Sequence, residues 1–174
     1  MTYHNVTGVA EMTAKAGFRG LNAAQREIIS HWYEVKGGRL VPGKADIDPG
    51  ALRAHLASIS IVEVDLRGQA RFRIAGSGLR RILGGEMRGR LINELERDKA
   101  DMWSLGLMAA IDRVEPVGGI IDRAKDRHAW LRLPLGSAGT SSFVLCHDVL
   151  LAHEVPEEPK GFGLFSAAPS GLAA

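Results

Sequence analysis

A single cysteine, Cys146, in 174 residues leaves no internal disulfide and no cysteine-built zinc site, and it suits a reducing compartment. Aromatic residues make up only 6%, and none interleave with basic residues in the pattern that stacks single-stranded bases. No apolar run approaches the length of a membrane span. The first twenty residues, broken by Glu11, Lys15 and Arg19, lack the continuous apolar core of a signal peptide. Neither sign of charge dominates, since the formal net charge is +2, and that balance does not demand nucleic acid. These absences point to a cytoplasmic protein with no membrane span.

What remains is ordinary globular composition, 45% hydrophobic and 24% charged, sufficient for one domain with a real core. Residues 1–20 show no period and are expected to be flexible. The domain is expected over 21–155. A small-residue segment opening with Pro156-Glu157-Glu158-Pro159 is expected to form a flexible tail over 156–174.

Asn22 followed by Gln25 is a capping-box signature, predicting a helix to Lys36 that ends at Gly37-Gly38. Ile28, Ile29, Trp32 and Val35 share one face of it. Pro42 and Pro49 keep the next segment extended. A short helix is expected over Gly50 to Leu56, capped by Asp48. Ile59 to Leu66 is β-branched and reads as a strand, joined through Arg67-Gly68-Gln69 to a second that begins near Ala70. There Ala70, Phe72 and Ile74 share one parity, opposite Arg71 and Arg73. The second strand breaks at Gly76 into a short helix ending at Gly84-Gly85. A weak helix is expected over Arg90 to Glu96. A stronger one, capped by Asp98, carries Met102, Leu105, Met108, Ala109 and Ile111 as its stripe, with Trp103 and Leu107 at the edges. Strands follow over Val117 to Arg123, His128 to Leu135, and Ser141 to Ala152.

Two strands, a helical insert and three strands is the order of a PAS domain. The chain resembles a PAS family of alphaproteobacterial single-domain proteins, the PAS_5-like group. The resemblance rests on His31-Trp32-Tyr33, on Leu40 to Pro49, on Phe72 to Leu79, on Gly84-Gly85-Glu86-Met87-Arg88-Gly89-Arg90, and on Leu133-Pro134-Leu135. It runs from about Leu21 to Ala152. It implies an α+β fold: a five-stranded antiparallel sheet with a helical flap and an N-terminal amphipathic helix. It implies bacterial signal reception or protein docking, usually as a homodimer, and no catalytic residue set. No output domain fits in the remaining residues, so a signal would leave by docking to a signalling protein such as a kinase.

Four motifs suggest other chemistry. Gly38 to Ala45 nearly matches a phosphate-binding loop, but Ala45 stands where a magnesium-binding hydroxyl belongs, and a helix precedes it instead of a strand. Gly76-Ser77-Gly78 has two glycines of a dinucleotide fingerprint, with Arg81 in place of the third. Asp46, Asp48 and Gly50 open like a calcium loop, but Leu52, Ala54 and Ala57 follow where ligands belong. His147-Asp148 could be catalytic, but adjacent strand residues face opposite ways. No enzyme is expected and no metal site.

A PAS flap encloses a cavity, here expected to be lined by Phe72, Ile74, Met87, Leu91, Trp103, Leu107, Leu131, Leu133 and Leu145. Arg73, Asn93, Trp130 and His147 are its possible polar handles. No cysteine lies in the region where a photoactive flavin would bond, and no histidine on the long helix awaits haem, so no cofactor is expected; an unidentified small ligand remains possible. From Arg67 to Arg90 stand seven arginines against one acid, Glu86. Arg71, Arg73, Arg80, Arg81 and Arg88 form the expected docking face, for protein before nucleic acid. The dimer interface is expected on Ile28, Ile29, Trp32 and Val35.

Overall fold

The computed structural model describes residues 20–153; the expected flexible ends lie outside them, apart from Gly20. Among the described residues, three α-helices, α1 (Ala23–Lys36), α2 (Leu79–Leu83) and α3 (Arg97–Arg113), accompany five strands. The strands are β1 (Ile59–Val64), β2 (Ala70–Ala75), β3 (Val117–Asp122), β4 (Arg127–Ala138) and β5 (Ser141–Leu151). They form one antiparallel sheet in the order β2-β1-β5-β4-β3. Short 3₁₀ turns occupy Lys44–Asp46, Arg53–Ser58 and Ile92–Glu94, so the expected helices near 50–56 and 90–96 are tighter and shorter than the periodicity suggests.

Both faces of the sheet are buried, and strand alternation divides the core in two. Val62, Val64, Phe72, Val144 and Cys146 meet α2, α3 and the flap. Ile59, Ile61, Leu131, Leu133, Leu135, Phe143 and Leu145 meet α1. This explains the nearly continuous apolar run of β5, since a strand covered on both sides need not alternate. The expected shared parity of Phe72 and Ile74 fails. Ile61 pairs with Ile74 while Val62 pairs with Phe72, so β2 carries a bulge at Arg73. The extra residue turns Ile74 away from the Phe72 side, and it is 52% exposed.

α1 begins as expected. Asn22 Oδ1 accepts from the Gln25 amide at 2.8 Å, and Gln25 Oε1 accepts from the Asn22 amide at 3.3 Å. Its apolar stripe, however, is consumed inside the chain. Ile28, Ile29 and Trp32 are buried against the outer sheet face, and Val35 is half-buried. Each buried isoleucine contributes about 1.5–3 kcal/mol. Trp32 Nε1 donates to the Pro134 carbonyl at 2.8 Å. β3 pairs with β4 only as far as Arg132, so Pro134 lies past the end of β3, where a strand tolerates a missing N–H. Nearby, the Gly136 amide donates to the Pro42 carbonyl at 2.7 Å. The phosphate-loop-like segment is thus a strap across this end of β4. Lys44 lies over the Phe143 ring, 4.5 Å from its centroid. Asp46 pairs with Arg39, and Asp48 accepts from the Gly50 amide.

α3 starts earlier than expected, at Arg97, with its cap position two residues before Asp98, at Glu96. It also presents a different face. Trp103, Gly106, Leu107 and Ala110 are buried, whereas Leu105 is 74% and Met108 42% exposed. The reason is clearance. A Cβ at position 106 would lie 3.2 Å from the Trp130 ring, so the glycine lets the helix approach the sheet on that side, where bulkier Leu105 could not.

The turn after β2 obeys the same constraint. Gly76 and Gly78 are not among the glycines with positive φ. They are needed for space: a Cβ on Gly76 would sit 2.4 Å from the Ala57 carbonyl oxygen, and one on Gly78 2.8 Å from it. Their amides donate to Ile59 O at 2.8 Å and Ala57 O at 2.7 Å. Gly76→Ala should therefore destabilise the fold by about 1–3 kcal/mol, the cost of overpacking against backbone. Urea denaturation measures it, and a midpoint equal to wild type would contradict the contact.

Candidate functional site

The residues expected to line one cavity divide between the two sides of the sheet. Phe72, Met87, Trp103 and Leu107 gather on the flap side. Phe72 and Trp103 meet edge to face with centroids 4.9 Å apart, and both are wholly buried. Leu91 is half-buried beside the flap. Leu131, Leu133 and Leu145 lie on the opposite face under α1, because their parity on β4 and β5 is opposite to that of Arg132 and Cys146. Ile74 is in solvent. Phe72 and the Arg132 guanidinium pack against the Trp103 ring.

A buried polar cluster missed by the sequence reading occupies the flap side of β4 and β5. Asp148 Oδ2 accepts from Arg132 Nη1 at 2.9 Å, and Oδ1 accepts from Arg132 Nη2 at 3.0 Å. His128 Nε2 is 2.8 Å from Asp148 Oδ1. Register makes the cluster: Trp130 pairs with Asp148, and His128 and Arg132 lie two residues to either side of Trp130. The Arg132 guanidinium stacks on Trp103, 3.9 Å from its centroid, and Arg132 Nη1 also donates to the Leu131 carbonyl. Burial pushes the Asp148 carboxyl up, but Arg132 and His128 outweigh it and hold its pKa below the ordinary carboxylate value.

His147, next along β5, faces the α1 side, its strand partners being Ile59 and Leu131. Its Nδ1 is buried without a partner among the described residues. Burial lowers its pKa to about 4, so the ring is neutral near pH 7. Cys146 faces the flap, and burial pushes its thiol up to about 12, leaving it a poor nucleophile.

Most of the expected docking arginines are engaged internally. Arg73 pairs with Glu63, Arg80 pairs with Glu86, and Arg71 donates to the Gly89 carbonyl at 2.6 Å. Arg81 and Arg88 have no ion-pair partner among the described residues.

Arg81 instead lines a groove about 440 Å³ in volume. This groove lies between the Ala57-Ser58 segment, the start of α2 and the end of β5, with Asp148 at its wall. A smaller one, about 100 Å³, lies beside Leu91 and Asn93. Sequence reasoning had Arg81 only as part of a charged surface and lacked Ser58, Ser77 and Asp148 as its neighbours; the packing of Gly76 and Gly78 on Ala57 brings them together.

The architecture is that of a PAS-type sensory and signalling domain: a two-strand hairpin, a helical flap and three strands in the order 2-1-5-4-3. A family model described as a PAS domain matches residues 21–117. That is more than half of the chain, and the protein belongs to this family. No curated protein matches the chain. Among solved structures, a domain of an HTR-like protein from Haloarcula marismortui is similar at 11% identity and a TM-score of 0.43, over 55% of this chain and 99% of that one. Among the described residues no helix is long and apolar enough to cross a membrane.

Asp148→Ala should strand the Arg132 charge and cost about 3–5 kcal/mol. Replacing both partners together, Arg132→Met with Asp148→Leu, should recover much of that loss in urea denaturation. A single variant as stable as wild type would contradict the pairing. For His147, the folded pKa lies below the unfolded value, so the unfolded chain binds more protons in the interval between them. Its contribution to stability is full above about pH 6.5 and falls as pH drops toward 4, by at most about 1.4 kcal/mol per pH unit. Denaturation midpoints at pH 7 and 4.5 should diverge less in His147→Leu than in wild type.

Proposed function

We propose that the protein is a cytoplasmic regulator that relays signals by docking to proteins, a second copy of itself first and a signalling partner such as a kinase next. The observation carrying this reading is the outer face of α3. Leu105 and Met108 stand in solvent, one turn apart, with Met102 half-buried in line with them. An apolar strip on a helix anchored by its other face is suited to helix-face recognition. The α1 stripe does not serve this purpose, because the chain uses it for its own core. Arg88 supports the reading as a free cation near the flap, able to steer an acidic partner. No catalytic step and no resident cofactor belong to it.

A second reading, reception of a small molecule, is favoured by the 440 Å³ groove, whose size falls within the range of ligand sites. Trp103 is not among the residues lining that groove.

Analytical ultracentrifugation tests the first reading. Wild type should sediment as a dimer, and Leu105→Glu with Met108→Glu should yield a monomer with unchanged circular dichroism. A wild type that stays monomeric throughout the concentration range removes self-association, and a variant that stays dimeric removes the α3 face.

A further inference from the structure

The groove beside α2 has one unbalanced charge. Asp148 lies in its wall, but both carboxylate oxygens are occupied by Arg132 and His128. Asp148 is therefore neutralised from behind and offers the groove little negative field. Arg81 lines the opposite side with no ion-pair partner among the described residues, although its neighbour Arg80 has Glu86. Ser58 and Ser77 add hydroxyl donors. Ile82 and Leu150 add aliphatic surface.

The two walls are joined. The Gly78 amide donates to the Ala57 carbonyl at 2.7 Å, and the Gly76 amide to the Ile59 carbonyl at 2.8 Å. These bonds hold the serines in place on both sides before any ligand arrives, so less ordering is needed on binding.

We propose that this groove binds a small aliphatic monocarboxylate, an inference that rests on the small-molecule reading above. The carboxylate pairs with the Arg81 guanidinium in the planar fork geometry that arginine favours and accepts from Ser58 and Ser77. The hydrocarbon body lies on Ile82 and Leu150. One unpaired cation balances a monoanion, whereas a phosphate dianion would be left half-neutralised. A neutral or cationic ligand would leave Arg81 unanswered.

The test uses the full chain labelled with nitrogen-15 and titrated at constant ionic strength with sodium hexanoate. Hexanol, hexylamine and inorganic phosphate are the comparison probes. Hexanoate should give saturable amide shifts concentrated at residues 57–58, 77–82 and 148–150, and should raise the melting temperature with concentration. Arg81 is exposed, so Arg81→Gln should fold normally. It should bind hexanoate about 10- to 100-fold more weakly, the range for a lost charge-assisted hydrogen bond, with Arg81→Lys in between. Hexanoate binding unchanged in Arg81→Gln, or shifts located elsewhere, would overturn the proposal. Hexanol binding in the groove as tightly as hexanoate, or phosphate binding there without hexanoate, would overturn the carboxylate class but leave small-molecule reception standing. Silence from all four probes would remove both.

Discussion

The Arg132–Asp148 pair sets the terms for everything on the flap side of the sheet. Two charges removed from water cost several kcal/mol each and are tolerable only with close geometry and further hydrogen bonds. Here two Arg–Asp contacts, His128 and the Leu131 carbonyl supply them. The pair also fixes the β4–β5 register. A slip of one residue would turn Arg132 and Asp148 toward the apolar face beneath α1 and bring leucines to the flap. Because the Arg132 plane stacks on Trp103, the same pair locates α3, and hence which side of α3 meets water.

Glycines act here mainly through the volume they leave vacant. Gly106 brings α3 down onto Trp130, and Gly76 and Gly78 bring the start of α2 against Ala57. The first contact turns Leu105 and Met108 outward, and the second shapes the groove beside Arg81. Both surfaces put forward for function therefore depend on close backbone approach. Neither could be moved by changing surface residues alone.

Local signals were readable in the sequence. The Asn22–Gln25 capping box, the strand order, the hairpin at Arg67-Gly68-Gln69 and the opposite facing of His147 and Asp148 follow from short-range chemistry. Long-range pairing was not. A bulge has no sequence mark as plain as a turn has, so Ile74 was placed with Phe72, and Leu131, Leu133 and Leu145 were placed on the flap side. The β4–β5 ladder has its own irregularity between Leu135 and Ala138, which sets the register that unites His128, Arg132 and Asp148. On α3, Met102, Ala109 and Ile111 pack against the core as expected, but Leu105 and Met108 were counted with them because hydrophobicity was counted and clearance was not. The α1 stripe was read as surplus to one chain for a similar reason: nothing local reveals that both faces of the sheet need a cover.

That cover comes from far away along the chain. Trp32 and the Pro134 carbonyl it bonds are separated by 102 positions. During synthesis α1 emerges first, and the β4 and β5 surface that receives it comes last among the described residues. A 14-residue helix is marginal in water by itself, so Ile28, Ile29 and Trp32 wait without a partner while most of the sheet is translated. Closure over such a span is entropically slow. The nascent chain therefore passes through an interval in which the apolar stripe of α1 is uncovered, the kind of exposed surface that invites aggregation.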